Sequence, residues 1–242
     1  MGNHGSNYDE KFYEYNITGS LRSAKLVLSL LHEKFKFASV VDLGCGRGTW
    51  LRASLDLGAL RVLGYDGIWN EGKVYPNIDF ISCDLENVDT DDEKFDLAIS
   101  LEVAEHLPEK NADQFIDALV KKSDVIVFAS AFTRQLGTKH INEQFPSYWA
   151  EKFENRGYYP IDFFRPKIWG DTNIESCYRQ NTFLYVREGN ELLHNTLGGN
   201  DFLQGYKYMD CMHPEIYLER SARGLVSDFY VGIKRIAKSK FS

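Results

Sequence analysis

The sequence predicts an α/β fold in which a mostly parallel sheet carries helices on both faces. Short apolar, β-branched runs alternate with stretches of helical period along residues 18–187, and such alternation is typical of a parallel sheet. A glycine-rich turn follows the first of these runs, and acidic residues end several of them in succession. In open α/β sheets the ligand binds beyond the carboxyl ends of the strands, so these residues indicate a ligand site at that edge.

The predicted elements begin with a helix over Thr18–Phe35, capped by Thr18 or Ser20. Further helices are expected from near Gly48, over Asn111–Lys122 and from Pro146, with a last candidate over Leu225–Lys240. We expect the last two strands to form an antiparallel pair at one edge. The predicted strands are Val40–Leu43, Arg61–Tyr65, Asp79–Cys83, Phe95–Leu101, Val125–Ser130, Phe163–Trp169 and Thr182–Arg187.

Length and composition indicate one large domain of ordinary globular type. The chain has 242 residues, of which 43% are hydrophobic and 26% charged. Residues 1–190 are expected to form the domain, including an N-terminal helical lid, and residues 191–242 an extension that packs on it or trails from it. The net charge of −7 argues against binding to long nucleic acid.

The spacing of the cysteines and the hydropathy of the chain predict the cellular compartment of the protein. The four cysteines are widely spaced and form no C-x-x-C pair, so we expect reduced thiols and a cytoplasmic protein. The sequence has no apolar run near the roughly 18 residues that a membrane span needs, and no apolar segment of the signal-peptide kind near residue 1. Neither a membrane span nor a signal peptide is therefore predicted.

Residues 40–50 read V-V-D-L-G-C-G-R-G-T-W and carry the strongest signal in the chain. Glycine at every second position after Asp42 lets the backbone of the turn approach a ligand closely. The NAD-type fingerprint is G-x-G-x-x-G, whereas this chain has G-x-G-x-G. Asp66 ends the next strand about 20 residues later, where an acidic side chain can accept hydrogen bonds from ribose hydroxyls.

This turn resembles motif I of the class I S-adenosylmethionine (SAM) methyltransferases. The resemblance implies a Rossmann-like fold with seven strands and SAM as the methyl donor. It implies that Asp66 binds the ribose, that Asp84 contacts the adenine amino group and that Glu102 lies under the transferable methyl. For Asp66 or Asp84 taken singly, a helix N-cap is the alternative. The residues expected to contact the cofactor are Asp42, Gly44, Gly46, Asp66, Asp84, Leu85 and Glu102.

Longer segments resemble bacterial methyltransferases of surface-glycan (capsule and O-antigen) gene clusters. The resemblance implies O-methylation of a sugar hydroxyl, in a nucleotide-linked sugar or a surface polysaccharide. Residues 131–134 depart from it, because relatives often have a Pro-Gly-rich loop there, which puts the acceptor in doubt. The segments are G-S-L-R-S-A (19–24), F-D-L-A-I-S-L-E-V-A-E-H-L-P (95–108), G-T-K-H-I-N-E-Q-F-P-S-Y-W (137–149), R-P-K-I-W (165–169), Y-R-Q-N (178–181) and H-P-E-I-Y (213–217).

The E-x-x-E-H run of Glu102, Glu105 and His106 is the sharpest chemical pattern. Spacing of i, i+3 and i+4 predicts that the three side chains share one face of a helical turn. With His140 they could bind a divalent metal such as Mg²⁺, Mn²⁺ or Fe²⁺. The run resembles the metal site of small-RNA 2′-O-methyltransferases and also occurs in quinone-biosynthesis O-methyltransferases.

The alternative is catalysis without a metal. Glu102 would then touch the cofactor, and His106 or His140 would act as general base, with Glu105 in the same catalytic group and Glu143 as a second candidate base. Arg134 and Arg179 are hypothesised to contact the acceptor or a pyrophosphate.

Three functions stay open on the sequence: a sugar O-methyltransferase, a 2′-O-methyltransferase of RNA 3′ ends, and a SAM-binding module without catalysis. Other small-molecule O- or N-methylation is a variant of the first. The net charge of −7 opposes the RNA function. The expected partner is a small-molecule, nucleotide-sugar or glycan acceptor, with a homodimer as an open alternative.

Overall fold

The fold is built on a seven-stranded sheet with the strand order β3-β2-β1-β4-β5-β7-β6 in the computed structural model. The model describes the backbone of residues 10–191 and 209–218, and the side chains of residues 19–191 and 209–218. The first five strands in this order run parallel, and β7 runs antiparallel to both β5 and β6. The strands are β1 Ser39–Leu43, β2 Arg61–Asp66, β3 Asp79–Ser82, β4 Leu97–Leu101, β5 Val125–Ala129, β6 Tyr158–Ile161 and β7 Phe183–Arg187.

Helices cover both faces of the sheet, as expected. Residues of α1, α2 and alternate positions of β1, β4 and β5 form one buried apolar cluster. The other positions of those strands pack with α3 and α4 in a second cluster. Adjacent strand residues such as Val40 and Val41 therefore point to different cores, which is the period-2 alternation of a strand. The helices are α1 Glu10–Lys34, α2 Thr49–Asp56, α3 Ala112–Lys122, α4 Pro146–Glu154, α5 Arg165–Ile168 and α6 Ser176–Asn181.

The predicted strand over Phe163–Trp169 is wrong. The sixth strand is Tyr158–Ile161, and the short helix α5 begins at Arg165. Pro160 obscures the strand in the sequence, but among the described strands β6 pairs only with β7, at the sheet edge, where a missing N–H is tolerated. Pro166 stands in the first turn of α5, the helix position that proline favours.

The first helix begins earlier than predicted, at Glu10 rather than Thr18. Ser20 therefore lies inside α1 and caps nothing. Its hydroxyl oxygen instead lies 3.1 Å from that of Thr49 and 3.2 Å from that of Tyr178. These contacts tie α1 to the first residue of α2 and to α6, next to the glycine-rich turn.

A short segment from the second half of the chain packs on the domain. Arg165 donates to the carbonyl oxygen of Met209 over 2.8 Å, and Gln180 donates to that of Cys211 over 3.2 Å. Met209 and Ile216 are buried. The helix predicted over 225–240 lies outside the described residues, and the boundary at residue 190 stays a prediction. Among the described helices, none is both long and apolar enough to span a membrane.

Candidate active site

The glycine-rich turn lies against the end of β2. The N–H groups of Gly44 and Cys45 both donate to the carbonyl oxygen of Tyr65, over 2.8 and 3.1 Å. Gly44 has φ 89°, and a Cβ there would lie 2.3 Å from the Val103 side chain, so only glycine fits. At Gly46, with φ 55°, a Cβ would meet no atom of the described residues within 4 Å. The turn therefore presents bare backbone to open space at Gly46.

Asp66 joins this turn to the next strand end. Its carboxylate is 7% exposed and accepts hydrogen bonds from the N–H groups of Gly46 and Gly67, each over 2.6 Å. Its carbonyl oxygen accepts from the N–H of Cys83 over 2.9 Å. The ends of β1, β2 and β3 therefore meet at one edge, where a carboxylate oxygen keeps lone pairs for a further donor.

Asp42 lies beneath the same turn, 2% exposed. Burial and then the neighbouring Asp66 raise the pKa of its carboxyl well above the ordinary value. Two acidic groups at adjacent strand ends suit a ligand that brings positive charge. The methionine ammonium of SAM supplies such a charge, so these residues and the open backbone at Gly46 fit the cofactor predicted from the sequence.

Asp84 and Leu85 follow the end of β3. Asp84 is exposed, and its carboxylate accepts from the N–H of Glu86 over 3.0 Å and from the amide of Asn87 over 2.8 Å. Asp84 thus caps the turn that begins at Leu85, which is the N-cap role that was the alternative to cofactor binding. Leu85 packs on the second apolar cluster. Contact of Asp84 and Leu85 with adenine stays a prediction.

Two apolar side chains beside Asp66 were missed in the sequence. Ile68 is 71% exposed and Trp69 67% exposed, and the Trp69 ring lies so close to Gly67 that a Cβ would be 2.2 Å away. Apolar residues directly after the acidic strand end, in D-G-I-W, were the available signal. Large exposed apolar groups next to a polar edge indicate contact with a ligand.

The end of β4 does not continue as a helical turn, so the predicted common face of Glu102, Glu105 and His106 is wrong. Glu102 has φ 57°, a left-handed conformation that turns the chain before the single 3₁₀ turn Ala104–His106. Its carboxylate accepts from the amide of Gln135 over 3.0 Å and from that of Asn181 over 2.9 Å. Neither amide is marked for this role by its position in the sequence.

Glu105, His106 and His140 do come together. One ligand atom of each lies within 4.8 Å of the others, and among the described residues this group does not include Glu102. Glu105 is fully buried; Oε2 accepts from Ser130 over 3.1 Å, while Oε1 has no hydrogen-bond partner among the described residues and lies 4.0 Å from His140 Nε2. A buried carboxylate oxygen without a donor is costly, and a cation would satisfy it.

Both imidazoles are oriented through Nδ1. His140 donates from Nδ1 to Glu143 over 2.8 Å, and His106 Nδ1 lies 3.3 Å from the carbonyl oxygen of Lys139. With the proton on Nδ1, Nε2 keeps its lone pair, as is usual for histidines that bind metals. Burial and then His140 lower the pKa of His106, which favours the neutral, ligating form. These three side chains therefore fit a divalent metal. Glu143 orients the His140 ring through the hydrogen bond at Nδ1.

The loop that carries His140 is strained. Arg134, Leu136 and Lys139 have φ of 66°, 58° and 62°, values that cost side-chain-bearing residues energy and concentrate at functional sites. At Gly137 a Cβ would lie 2.2 Å from the His140 ring. The loop is tied to the group by Glu105, whose carbonyl oxygen accepts from residues 141 and 142 over 2.9 and 3.0 Å.

The hypothesis that Arg179 contacts the acceptor is not supported. Its side chain is 4% exposed, pairs with Glu215 and donates to the carbonyl oxygen of Trp169 over 3.1 Å. It thus holds the segment 209–218 on the domain. Arg134 is exposed on the loop near His140, so its contact with an acceptor stays a prediction.

Comparisons with known proteins agree with this geometry. Residues 13–168 match the sequence model of a family described as "Methyltransferase domain". No significant match was found among curated protein sequences. The methyltransferase domain of bacterial CtHen1-C shares the fold, with 17% identity, a TM-score of 0.53 and coverage of 69% of this chain and 98% of that one.

A second solved structure, magnesium protoporphyrin IX methyltransferase from Synechocystis PCC 6803 with bound S-adenosylhomocysteine (SAH), shows 19% identity and a TM-score of 0.47, over 76% of this chain and 90% of that one. The family match covers more than half of the chain, over the strand ends described above. The chain therefore belongs to the class I SAM-dependent methyltransferases.

Proposed function

We propose that this enzyme transfers the methyl group of SAM to a hydroxyl group of a sugar, in a nucleotide-linked sugar or a surface polysaccharide. The sequence segments that resemble glycan-cluster methyltransferases support the sugar. The group of Glu105, His106 and His140 supports an oxygen acceptor, and it is the observation that carries the proposal. It lies at the end of β4, beside the glycine turn where the cofactor is expected.

The three residues of this group would hold a divalent metal such as Mg²⁺, Mn²⁺ or Fe²⁺. When bound, the metal would supply positive charge that lowers the pKa of an acceptor hydroxyl and orients its oxygen. Hard oxygen ligands suit Mg²⁺ and Mn²⁺, and imidazole suits Fe²⁺. Glu102 accepts two amide hydrogen bonds instead, so we propose three protein ligands rather than the four expected from the sequence.

The side chains of the enzyme would act by aligning the acceptor oxygen with the methyl carbon and the sulfur of SAM. The new bond joins the acceptor oxygen to the methyl carbon, while the carbon–sulfur bond breaks and its electron pair stays on sulfur, giving SAH. Holding oxygen, carbon and sulfur in line supplies most of the rate enhancement in such a displacement. With a metal on both imidazoles, the acidified hydroxyl would lose its proton to solvent; without a metal, the neutral imidazole of His106, whose pKa burial lowers, would take that proton.

The test is release of SAH from a panel of nucleotide sugars, with EDTA or with added Mn²⁺. We expect turnover with a sugar acceptor that EDTA removes and Mn²⁺ restores, and that the Glu105→Gln variant lacks. Turnover indifferent to EDTA would remove the metal and leave the acid–base alternative. Turnover only with a short RNA bearing a free 3′ end would favour the second function. SAM binding without turnover on any acceptor would favour a non-catalytic module.

A further inference from the structure

The loop of residues 134–145, which carries His140, exposes three large apolar side chains. Leu136 is 54% exposed, Ile141 64% and Phe145 47%. Single exposed apolar residues are normal on a protein surface, whereas several of them close together in the chain and next to a polar site indicate a contact surface. These three side chains are therefore candidates for contact with a partner.

The loop is fixed on the domain in spite of this exposure. The N–H groups of residues 141 and 142 donate to the carbonyl oxygen of Glu105 over 2.9 and 3.0 Å. Phe145 packs edge-on against the buried Phe132, with 5.3 Å between the ring centroids. The apolar side chains thus project from a backbone that the domain holds in place.

The other exposed side chains of loop 134–145 carry positive charge or no charge. They are those of Arg134, Lys139 and Thr138. The one carboxylate in this range, that of Glu143, is 15% exposed and accepts the hydrogen bond from His140. The loop is therefore a cationic and apolar surface on a chain whose net charge is −7.

A loop rich in exposed acidic residues lies at the opposite edge of the sheet. The side chains of Asp89 and Asp92 are almost fully exposed, and Glu93 pairs with Arg61, the first residue of β2. Strand β2 begins at that edge, whereas loop 134–145 follows the end of β5, and β5 runs in the same direction as β2. An anionic surface would attract the loop and repel the far edge, which would turn the metal group toward that surface.

The backbone of the loop adds a second observation. Leu136 has φ 58° and Lys139 φ 62°, a conformation that is an outlier for a bulky residue and costs it free energy. Leu136 is also more than half exposed, so it gains little from burial in the free protein. A contact that buries this side chain would recover apolar free energy that the fold alone leaves unused.

We propose that loop 134–145 docks the enzyme on an anionic lipid surface. Leu136, Ile141 and Phe145 enter the boundary between headgroups and acyl chains, and Arg134 and Lys139 lie at the lipid phosphates. Apolar side chains accompanied by Lys and Arg are the composition that binds such a boundary, and each cation near an anionic membrane adds to the affinity. The docking does not depend on which acceptor is methylated.

The test is co-sedimentation of the full chain with vesicles of phosphatidylcholine, alone or mixed with phosphatidylglycerol. Wild type is expected to bind the anionic vesicles more tightly than the neutral ones. Arg134→Gln combined with Lys139→Gln should weaken binding to the anionic vesicles about 30-fold. Binding of this double variant at wild-type affinity would overturn the proposal.

The matched control changes the net charge equally at the other edge of the sheet. Lys34 and Lys36 are exposed shortly before β1 begins. Lys34→Gln combined with Lys36→Gln should bind the anionic vesicles as wild type does. An equal loss of affinity in the two double variants would mean that the net charge of the protein decides binding, and the docking loop would be refuted.

Ile141→Ser tests the apolar contact. The variant should keep the thermal midpoint of wild type, because the side chain is exposed in the free protein, and should lose about tenfold in affinity for the anionic vesicles. Leu60→Ser is the control, since Leu60 is 86% exposed just before β2 and should bind as wild type does. Wild-type affinity in Ile141→Ser would show that no apolar side chain enters the lipid.

Sedimentation without vesicles separates a lipid surface from a second copy of this chain. Wild type and Ile141→Ser are expected to have the same mass. A wild-type dimer that Ile141→Ser dissociates would make the loop an interface between copies and would refute the docking on lipid. None of these measurements needs SAM, a metal or an acceptor, so a wild type that binds no vesicles overturns this proposal and leaves the proposed methyl transfer standing.

Discussion

The Nδ1 atom of His140 donates a hydrogen bond to the Oε1 atom of Glu143 over 2.8 Å. The bond leaves Nε2 of the imidazole as the atom that faces Oε1 of Glu105, which accepts no hydrogen bond from any residue that the structure describes. Glu143 was a candidate base on the sequence, but its bond to the ring makes it the group that orients His140. A carboxylate in this place usually strengthens metal binding by the histidine.

Replacing Glu143 should therefore weaken metal binding without unfolding the domain. We expect Glu143→Gln to lower Mn²⁺ affinity by about 10- to 100-fold, as measured by calorimetry. The matched control is Glu151→Gln, an exposed glutamate on α4, which should bind Mn²⁺ as wild type does. Equal affinities in the two variants would mean that Glu143 does not act on the metal group.

Gly137 should be needed for the place of His140. A methyl group at Gly137 would overlap the imidazole, so Gly137→Ala should displace the ring and lower Mn²⁺ affinity at least tenfold, or about 1.4 kcal/mol. Gly170 provides the control, since a Cβ there meets nothing within 4 Å. Gly170→Ala should leave Mn²⁺ affinity unchanged. Wild-type affinity in Gly137→Ala would show that the loop can shift freely.

Asp66 should be needed for SAM itself. Asp66→Ala removes the acceptor of two backbone N–H groups and the expected ribose contact, so SAM binding should be lost in calorimetry. Asp96 accepts from two backbone N–H groups, those of Ala38 and Ser39, at the opposite end of β1. Asp96→Ala should lower the free energy of unfolding by roughly 0.5–1.5 kcal/mol, because these hydrogen bonds are exposed, and should bind SAM normally. Unchanged SAM affinity in Asp66→Ala would count against the site.

Metal binding should depend on pH through Glu105. Burial, and then Glu102, raise the pKa of the Glu105 carboxyl well above its ordinary value. A raised acid pKa favours the protonated folded state, so this contribution to stability is present at low pH and is lost as pH rises through the folded-state pKa. A metal needs the carboxylate, so Mn²⁺ must displace that proton.

Apparent Mn²⁺ affinity should accordingly rise with pH, up to a pH well above the ordinary range of a carboxyl group. Calorimetry in two buffers of different ionisation enthalpy should detect protons released on binding. The Glu105→Gln variant should release none from this position. Binding that is independent of both pH and buffer would contradict the predicted protonation of Glu105.

The parts of the fold that follow from local pattern were predictable. The apolar runs predict β1, β2, β4, β5 and β7 close to their observed bounds, because strands that are buried on both faces consist of nearly continuous apolar residues. The edge strand β6 was not predictable in this way. Its apolar pattern is short, Pro160 interrupts it, and the apolar run after it becomes the turn of α5.

The site was predictable in its residue types and less so in its geometry. Glu105 and His106 meet His140, which lies 34 positions after His106, because β5 pairs with β4 and returns the chain to the same edge of the sheet. The left-handed backbone at Glu102 has no sequence signal, since glycine or asparagine is the usual residue there. The amides of Gln135 and Asn181 meet Glu102 only through tertiary packing, which spacing along the chain does not reveal.

The salt bridge between Arg179 and Glu215 sets a limit on how the protein can be shortened. Cutting the chain after residue 190 would remove Glu215, the counter-ion of the buried Arg179 guanidinium. It would also expose the apolar surface that Met209 covers. Two neighbours of that arginine along α6, Gln180 and Asn181, reach Cys211 and Glu102. We therefore expect a truncated protein to lose affinity for SAM before its sheet unfolds.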